Sequence, residues 1–316
     1  VTSTSSAAPA ASAASAAVVV DDLRLAYGST QALDGLSFEV PAGSVTAVLG
    51  PNGAGKTSTV EICEGYRRPD SGRVQVLGLD PRRDAARLRE RVGVMLQSGG
   101  IYASGRALPV LRHLASFYAH PLDVDALASR LGLDTVRAPY RRMSGGEKQR
   151  LALACAVVGR PELVFLDEPS AGMDPQARLV AWELVEQLRA DGVSVVLTTH
   201  LLDEAERLAD HVVLVDRGRV VLAGSPAELT GGGEALRFRA APGLPIADLL
   251  GSLPEGGSAR EEAPGSYVVE APVGAELLAA VSAWCAQHGV APSDLTTRRR
   301  SLEDVFLEVT GREVRP

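Results

Sequence analysis

At 316 residues, 46% of them apolar, the chain is long enough to bury the core of one large α/β domain and a smaller one. A net charge of −7 and a sequence pI near 5.4 exclude a general polyanion binder, which needs clustered surplus Lys and Arg, so no nucleic acid is expected as a partner. No stretch approaches the roughly 20 apolar residues of a spanning helix, and Cys63, Cys155 and Cys285 are odd in number and lack metal-ligand spacing, as expected of reduced thiols in the cytoplasm.

Residues 1–17 are dominated by Ser and Ala, have neither the basic start nor the apolar segment of a secretion signal, and read as a disordered tail. Strands follow at Leu23 to Tyr27 and Leu36 to Val40, joined through Gly28, with a turn at Pro41 to Gly43. Tyr27 stands at a strand end before a glycine, where an exposed ring could stack on adenine and a core or edge tyrosine fits equally well. Val45 to Leu49 is a continuous apolar run, suited to a strand buried on both faces, and it leads into a glycine-rich turn.

That turn, Gly50, Pro51, Asn52, Gly53, Ala54, Gly55, Lys56 and Thr57, matches G-x-x-x-x-G-K-[ST] between a buried strand and a helix beginning near Lys56. Glycines let successive N–H groups converge on phosphates, and the helix N-terminus adds a favourable dipole. Lys56 would reach the β- and γ-phosphates, Thr57 would coordinate Mg²⁺, and Ser58 could donate to an α- or β-phosphate oxygen. Lysine occurs only at Lys56 and Lys148 in this arginine-rich chain, and a rigid guanidinium fork would fit the enclosed turn at Lys56 badly.

From Leu88 to about Gly159 the pattern is mostly helical, with helices expected at Leu108 to Tyr118, Val124 to Leu131 and Ser144 to Val158. Gln97 ends the apolar run Val92 to Leu96, where a neutral amide could touch both Mg²⁺ and a water, although one glutamine carries little weight alone. Ser144 and Glu147 form a capping box, which by itself signals only a good helix start. Gly145 and Gly146 tip the balance, because each costs about 1 kcal/mol relative to alanine inside a helix and makes sense where something approaches the backbone closely. An open helix N-terminus is itself a phosphate site. With one phosphate loop per chain, the simplest arrangement is a dimer in which this helix completes the partner's site.

Strands and helices then alternate: Leu163 to Leu166, the helix Pro175 to Ala190, Val193 to Thr199, the helix Leu202 to Ala209, and Val212 to Val215. This predicts a parallel sheet with covering helices. Asp167 and Glu168 end a buried strand, where parallel sheets bind ligands. Alternation along the strand assigns Asp167 to Mg²⁺ and Glu168 to the attacking water as general base, whereas Asp-Glu-Pro standing alone would read as a solvent-facing strand end. His200 ends the next strand and would lie beside Glu168 near the γ-phosphate, although a lone histidine is more often structural. Glycines at Thr230 to Glu234 mark a linker, giving predicted domains 18–230 and 235–316. The second reads as small and α+β, with strands at Leu236 to Arg239 and Tyr267 to Val269 and a helix whose stripe is Leu277, Val281, Trp284, Cys285 and His288. Trp284 is expected in the core, His288 as an ordinary helix-end residue, and Arg298 to Arg300 as a solvated face.

In motif order, Leu23 to Leu229 resembles the ATPase subunits of ATP-binding cassette (ABC) transporters. The resemblance makes Tyr27 the adenine-stacking aromatic, Gly50 to Thr57 the Walker A loop, Gln97 the Q-loop glutamine, and Met143 to Glu147 the signature. It makes Asp167 and Glu168 the Walker B pair, Ser170 to Asp174 the D-loop and His200 the switch histidine. Met143 and Glu147 depart from the usual Leu-Ser-Gly-Gly-Gln, and Met173 from the usual leucine, without removing a catalytic group. Ser301 to Leu307 resembles the end of exporter ATPases of the daunorubicin-resistance kind, which work with a separate membrane permease. The implied fold is a P-loop NTPase with an antiparallel β subdomain, a parallel-sheet core and a helical subdomain, plus the small C-terminal domain. The implied activity is ATP hydrolysis with Mg²⁺, by a homodimer or a pair with a related ATPase. It would lie in the cytoplasm, peripheral on the inner face of the membrane through the permease. Residues of about Ser98 to Phe117 would receive a cytoplasmic helix of that permease. A soluble ABC ATPase that remodels a ribosomal or DNA complex is the alternative; those usually carry tandem cassettes or long coiled coils, and neither is found here.

Overall fold

A computed structural model describes residues 16–96, 100–231, 234–253, 257–299 and 301–311. The chain divides into two compact units, the first running to Ala223 and the second from Gly224. The first opens with β1 (Ala16–Tyr27) and β2 (Thr30–Pro41), antiparallel, with Val18 opposite Val40 and Leu25 opposite Leu33. The apolar alternation Val18, Val20 slips by one residue to Leu23, Leu25 at an irregularity where Asp22 adopts φ 43°. The slip hides the first half of the strand from a period-two search. It also carries the strand back to Ala16, inside the segment expected as a tail; residues 1–15 lie outside the described ones.

The chain continues through β3 (Val45–Leu49), α1 (Lys56–Cys63), β4 (Ser71–Val76), α2 (Ala85–Leu88), β5 (Val92–Met95), α3 (Ala107–Ala115), α4 (Val124–Arg130) and α5 (Gly145–Val157). Then come β6 (Leu163–Asp167), α6 (Pro175–Ala190), β7 (Ser194–Thr198), α7 (Leu202–Leu208), β8 (His211–Asp216) and β9 (Arg219–Gly224). β4 completes a three-stranded antiparallel sheet in the order β2-β1-β4, and β3 and β5 to β9 form a six-stranded sheet in the order β5-β6-β7-β3-β8-β9. Every residue of β3, β6 and β7 is buried, as continuous apolar runs in a covered parallel sheet require. α3 lies against α4 and α5, making the helical layer. The architecture is the α/β P-loop arrangement, with antiparallel subdomain, parallel core and helical subdomain. No helix of the described residues is long and apolar enough to cross a membrane.

The second unit contains α8 (Pro226–Thr230), β10 (Glu234–Arg239), α9 (Ile246–Leu250), β11 (Ser258–Ala263), β12 (Ser266–Glu270), α10 (Ala275–Gln287), β13 (Ser293–Arg299) and α11 (Leu302–Thr310). Its strands form one antiparallel sheet in the order β11-β12-β10-β13. α8 packs against α11, which draws the division ahead of the glycine segment; Gly232 and Gly233 lie outside the described residues. The core is aromatic: Phe238 stacks on Tyr267 with centroids 5.4 Å apart, and Trp284 stands edge-on to Tyr267 at 5.6 Å. His288 is the C-cap of α10, its ring against Trp284. Arg300 and the side chains of Arg298 and Arg299 lie outside the described residues.

One contact sets how closely the helical layer meets the parallel sheet. A Cβ on Gly93 in β5 would sit 1.9 Å from the carbonyl oxygen of Ala156 in α5. Gly93→Ala is therefore expected to destabilise the first unit by about 2 kcal/mol through forced separation of strand and helix. An unchanged urea midpoint in that variant would contradict the contact.

Candidate ATP-binding and hydrolysis site

The site is set by strand register. Val48 of β3 pairs with Thr198 of β7, and Thr198 pairs with Asp167 of β6, so three strands end at one level and the turns after them share one edge of the sheet. After β3 the chain curls through the glycine-rich turn, where Gly55 takes φ 108° and a Cβ on it would meet Leu33 Cδ2 at 2.6 Å and Ala32 O at 2.7 Å. Only glycine fits there. Gly55 is the N-cap of α1 and no side chain caps the helix, which leaves first-turn N–H groups for a ligand. Lys56 is buried and its Nζ donates to Gly50 O at 2.6 Å and Pro51 O at 3.2 Å. Burial lowers its pKa, opposed by the charges of Glu168 and Asp167.

A cavity of about 330 Å³ brings together Tyr27, Asn52 to Ser58, Asp167 and Glu168. Tyr27 is half exposed, its hydroxyl 3.0 Å from Ser58 Oγ and the Arg67 guanidinium 5.0 Å from its ring centroid. Asp167 is buried and accepts from the Thr198 hydroxyl. Burial raises its pKa, the Thr198 hydrogen bond opposes that, and the neighbouring Glu168 charge adds to it.

Glu168 departs from the pleat on which the sequence argument rested. β6 ends at Asp167, and Glu168 turns into the left-handed region at φ 53°. The turn, not strand alternation, separates the two carboxylates. Its N–H donates to Thr198 O at 3.1 Å and Thr198 Oγ1 at 3.2 Å, and its Oε2 lies 2.5 Å from His200 Nδ1. Gln97 lies outside the described residues.

Ser144, Gly145 and Gly146 do not line this cavity of their own chain. Ser144 Oγ accepts from Glu147 N–H at 3.2 Å and Glu147 Oε2 accepts from Ser144 N–H at 2.7 Å, a closed capping box that satisfies those two N–H groups and fixes the helix start. Ser144 and Gly145 are exposed, and a Cβ on Gly145 would meet nothing within 4 Å.

Two residues near the site escaped sequence reasoning. Gln149, on α5, donates from Nε2 to the carbonyl oxygen of Glu168 at 2.6 Å. Glu64, just after α1, is mostly buried, and burial, with Asp167 and Glu61 close by, pushes its pKa up to about 8. Neither belongs to a spacing motif that would have flagged it.

As metal donors, the Thr57 hydroxyl and Asp167 carboxylate are hard oxygens. Among the described residues no three His, Cys, Asp or Glu gather as a ligand set. Two oxygen donors at the edge of a phosphate cradle fit Mg²⁺, which keeps several waters and shares phosphate oxygens.

A buried lysine in a glycine cradle, a paired acid turn and a histidine from the next strand end held against that turn define a P-loop nucleoside triphosphatase. The ABC transporter family model matches residues 33–171. The daunorubicin resistance ATP-binding protein DrrA3 of Streptomyces coeruleorubidus is 37% identical over 93% of this chain and 96% of its own. The Nod factor export ATP-binding protein I of Ralstonia nicotianae is 34% identical over 94% of each. A solved ATP-binding subunit of an ABC transporter superposes with a TM-score of 0.62 at 27% identity, covering 68% of this chain and 92% of that one. A dimeric cassette bound to ADP and Pi shares the fold at a TM-score of 0.60 and 21% identity, covering 66% and 98%. The chain belongs to the ATP-binding subunits of ABC transporters. It binds and hydrolyses ATP to energise export, and the remodelling ATPase is not favoured.

Glu64 gives the site a pH signature. A carboxyl whose folded pKa is raised stabilises the fold below its unfolded value near 4.5 and loses that contribution as pH rises through about 8. Glu64→Gln should therefore match the wild type in Tm at about pH 5 and exceed it at about pH 9. A constant difference across that range would rule out Glu64 as the titrating group.

Proposed function

We propose that two copies of this chain, or one copy and a related ATPase, clasp two Mg-ATP molecules between the phosphate loop of one and the α5 N-terminus of the other. Closure drives export through a separate membrane permease. The observation that carries this is the single row Val48, Thr198, Asp167, which sets Lys56, Asp167 and Glu168 around one cavity, with His200 against Glu168. The open helix start at Ser144 and Gly145 lies outside that cavity and is exposed, as a site completed in trans requires.

Lys56 would leave its two carbonyl partners for the β- and γ-phosphates, and the N–H groups of Gly50, Asn52, Gly53 and Gly55, with that of Ala54 once it leaves Pro51 O, would cradle the remaining oxygens. Ser58 donates to phosphate, and Tyr27 stacks on the adenine. Thr57 and Asp167, with Gln97 by the family pattern, would hold Mg²⁺, which would supply positive charge beside the phosphates. Glu168 accepts the proton of the attacking water, and His200 holds that carboxylate and faces the γ-phosphate side. ATP shifts the open–closed equilibrium by its greater affinity for the closed pair.

The permease would dock in a groove of about 880 Å³ between the sheet and the helical layer. Tyr66, Tyr102 and Phe117, 67%, 76% and 70% exposed, all line it, an apolar surface that suits a cytoplasmic helix of a membrane partner. Docking there would hold the chain on the inner face of the membrane. Relatives are named for daunorubicin resistance and Nod factor export; here the cargo is a matter for the permease.

Glu168→Gln is expected to bind ATP and dimerise while turnover falls at least about 100-fold, measured as phosphate release and by size-exclusion chromatography with ATP. Wild-type turnover in that variant would remove the general base. Lys56→Ala should weaken ATP binding by about tenfold or more through loss of a charge-assisted contact, and unchanged affinity in equilibrium titration would count against the phosphate-loop assignment.

A further inference from the structure

We propose that Gln149 is a positioning residue for Glu168, tying the helix that meets the partner's nucleotide to the backbone of the catalytic turn in its own chain. The proposal rests on Glu168 being the general base, and goes one step beyond it.

Glu168 occupies a conformation, φ 53°, that a glutamate holds only under outside support. The support is visible on both sides of the residue. Its N–H is bound twice by Thr198, while its carbonyl oxygen accepts from the Ala171 N–H at 3.2 Å and from Gln149 Nε2 at 2.6 Å. Three of these bonds come from the sheet and the turn itself. The fourth comes from α5, whose first turn carries Ser144 and Gly145.

Gly145 and Gln149 are four residues apart and share a face of that helix. α5 meets the turn a second time at Gly146, where a Cβ would lie 3.5 Å from Gly172 O and 3.6 Å from Met173 Cα. A shift of α5 when its N-terminus engages phosphate is therefore transmitted to the Glu168 peptide through the Gln149 hydrogen bond, with Gly146 in van der Waals contact with the same turn at Gly172 and Met173. Gln149 suits the task because its amide donates without adding charge beside two carboxylates. A lysine there would perturb the site, and a leucine would leave the Glu168 carbonyl one donor short.

The test uses the full-length chain with saturating ATP, single-turnover phosphate release, equilibrium ATP titration and thermal unfolding. Gln149→Leu should keep ATP affinity within about twofold while turnover falls about tenfold, the split expected when a reacting group is displaced and the binding surface is not. Gln149→Glu keeps the shape but is ionised at about pH 8 and cannot donate, so it should be equally slow. Gln149→Leu added to Glu168→Gln should cost nothing further, since a tether without its carboxylate has no catalytic effect.

Wild-type turnover in Gln149→Leu beside an inactive Glu168→Gln would overturn the tether alone. A loss in Gln149→Leu that falls equally on affinity, Tm and rate, or a wild-type rate in Gln149→Glu at about pH 8, would reduce Gln149 to a structural contact and also overturn it. Full activity of Glu168→Gln would remove the base and the tether together.

Discussion

The structure depends on keeping like charges together at one sheet edge. Asp167 and Glu168 are adjacent, Glu64 and Glu61 stand close to Asp167, and burial penalises the charged forms of Asp167 and Glu64. Lys56 is the cation whose field reaches both members of the acid pair. Such a cluster is unfavourable unless more positive charge arrives, and a metal–triphosphate complex brings a divalent cation together with the donors aimed at its phosphates. The fold therefore holds its acids by sheet register, in a geometry that such a ligand would complete.

That register also explains the division of labour around Thr198. Its hydroxyl donates to Asp167 and accepts from the N–H of Glu168, while its carbonyl takes the same N–H. One threonine at a strand end thus orients the first carboxylate and fixes the backbone of the second. With the peptide pinned, the Glu168 side chain is directed by the turn towards His200, whose own strand is the one that carries Thr198. Two adjacent residues acquire different surroundings because one still belongs to the strand and the other does not.

What the sequence revealed follows the same logic. Continuous apolar runs at β3, β6 and β7, the capping box at Ser144 and the proline opening α6 are local signals, and the elements start and stop close to where those signals lie. β1 was half hidden because its alternation slips at Asp22. β4 was missed because it exposes most of its residues and carries little apolar signal, and β9 because its apolar run from Val220 to Ala223 lies half-exposed beside a turn and has no alternation to mark it. The motif residues around the cavity were legible from spacing. Gln149 and Glu64 were not, since what distinguishes them is a tertiary neighbour: a carbonyl on another element in one case, a buried acid cluster in the other. The unit boundary eluded composition for a similar reason, because α8 is claimed by its packing against α11.

The two lysines of an otherwise arginine-based chain show how local geometry overrides composition. At Lys56 the ammonium sits under the carbonyls of Gly50 and Pro51, both within hydrogen-bond reach, in a turn where the preceding Gly55 leaves no room even for a Cβ. A compact charge with rotating donors can exchange those carbonyls for phosphate oxygens by a small movement of Nζ; a planar guanidinium would have to displace the turn to do so. At Lys148 the ammonium lies 5.5 Å from the centroid of the Tyr140 ring, on the helix start that is fixed by Ser144 and Glu147. Arginine stacks on such a ring at least as well, so nothing in that contact requires lysine. The steric demand falls on Lys56 alone, and it is the demand of a phosphate-binding turn.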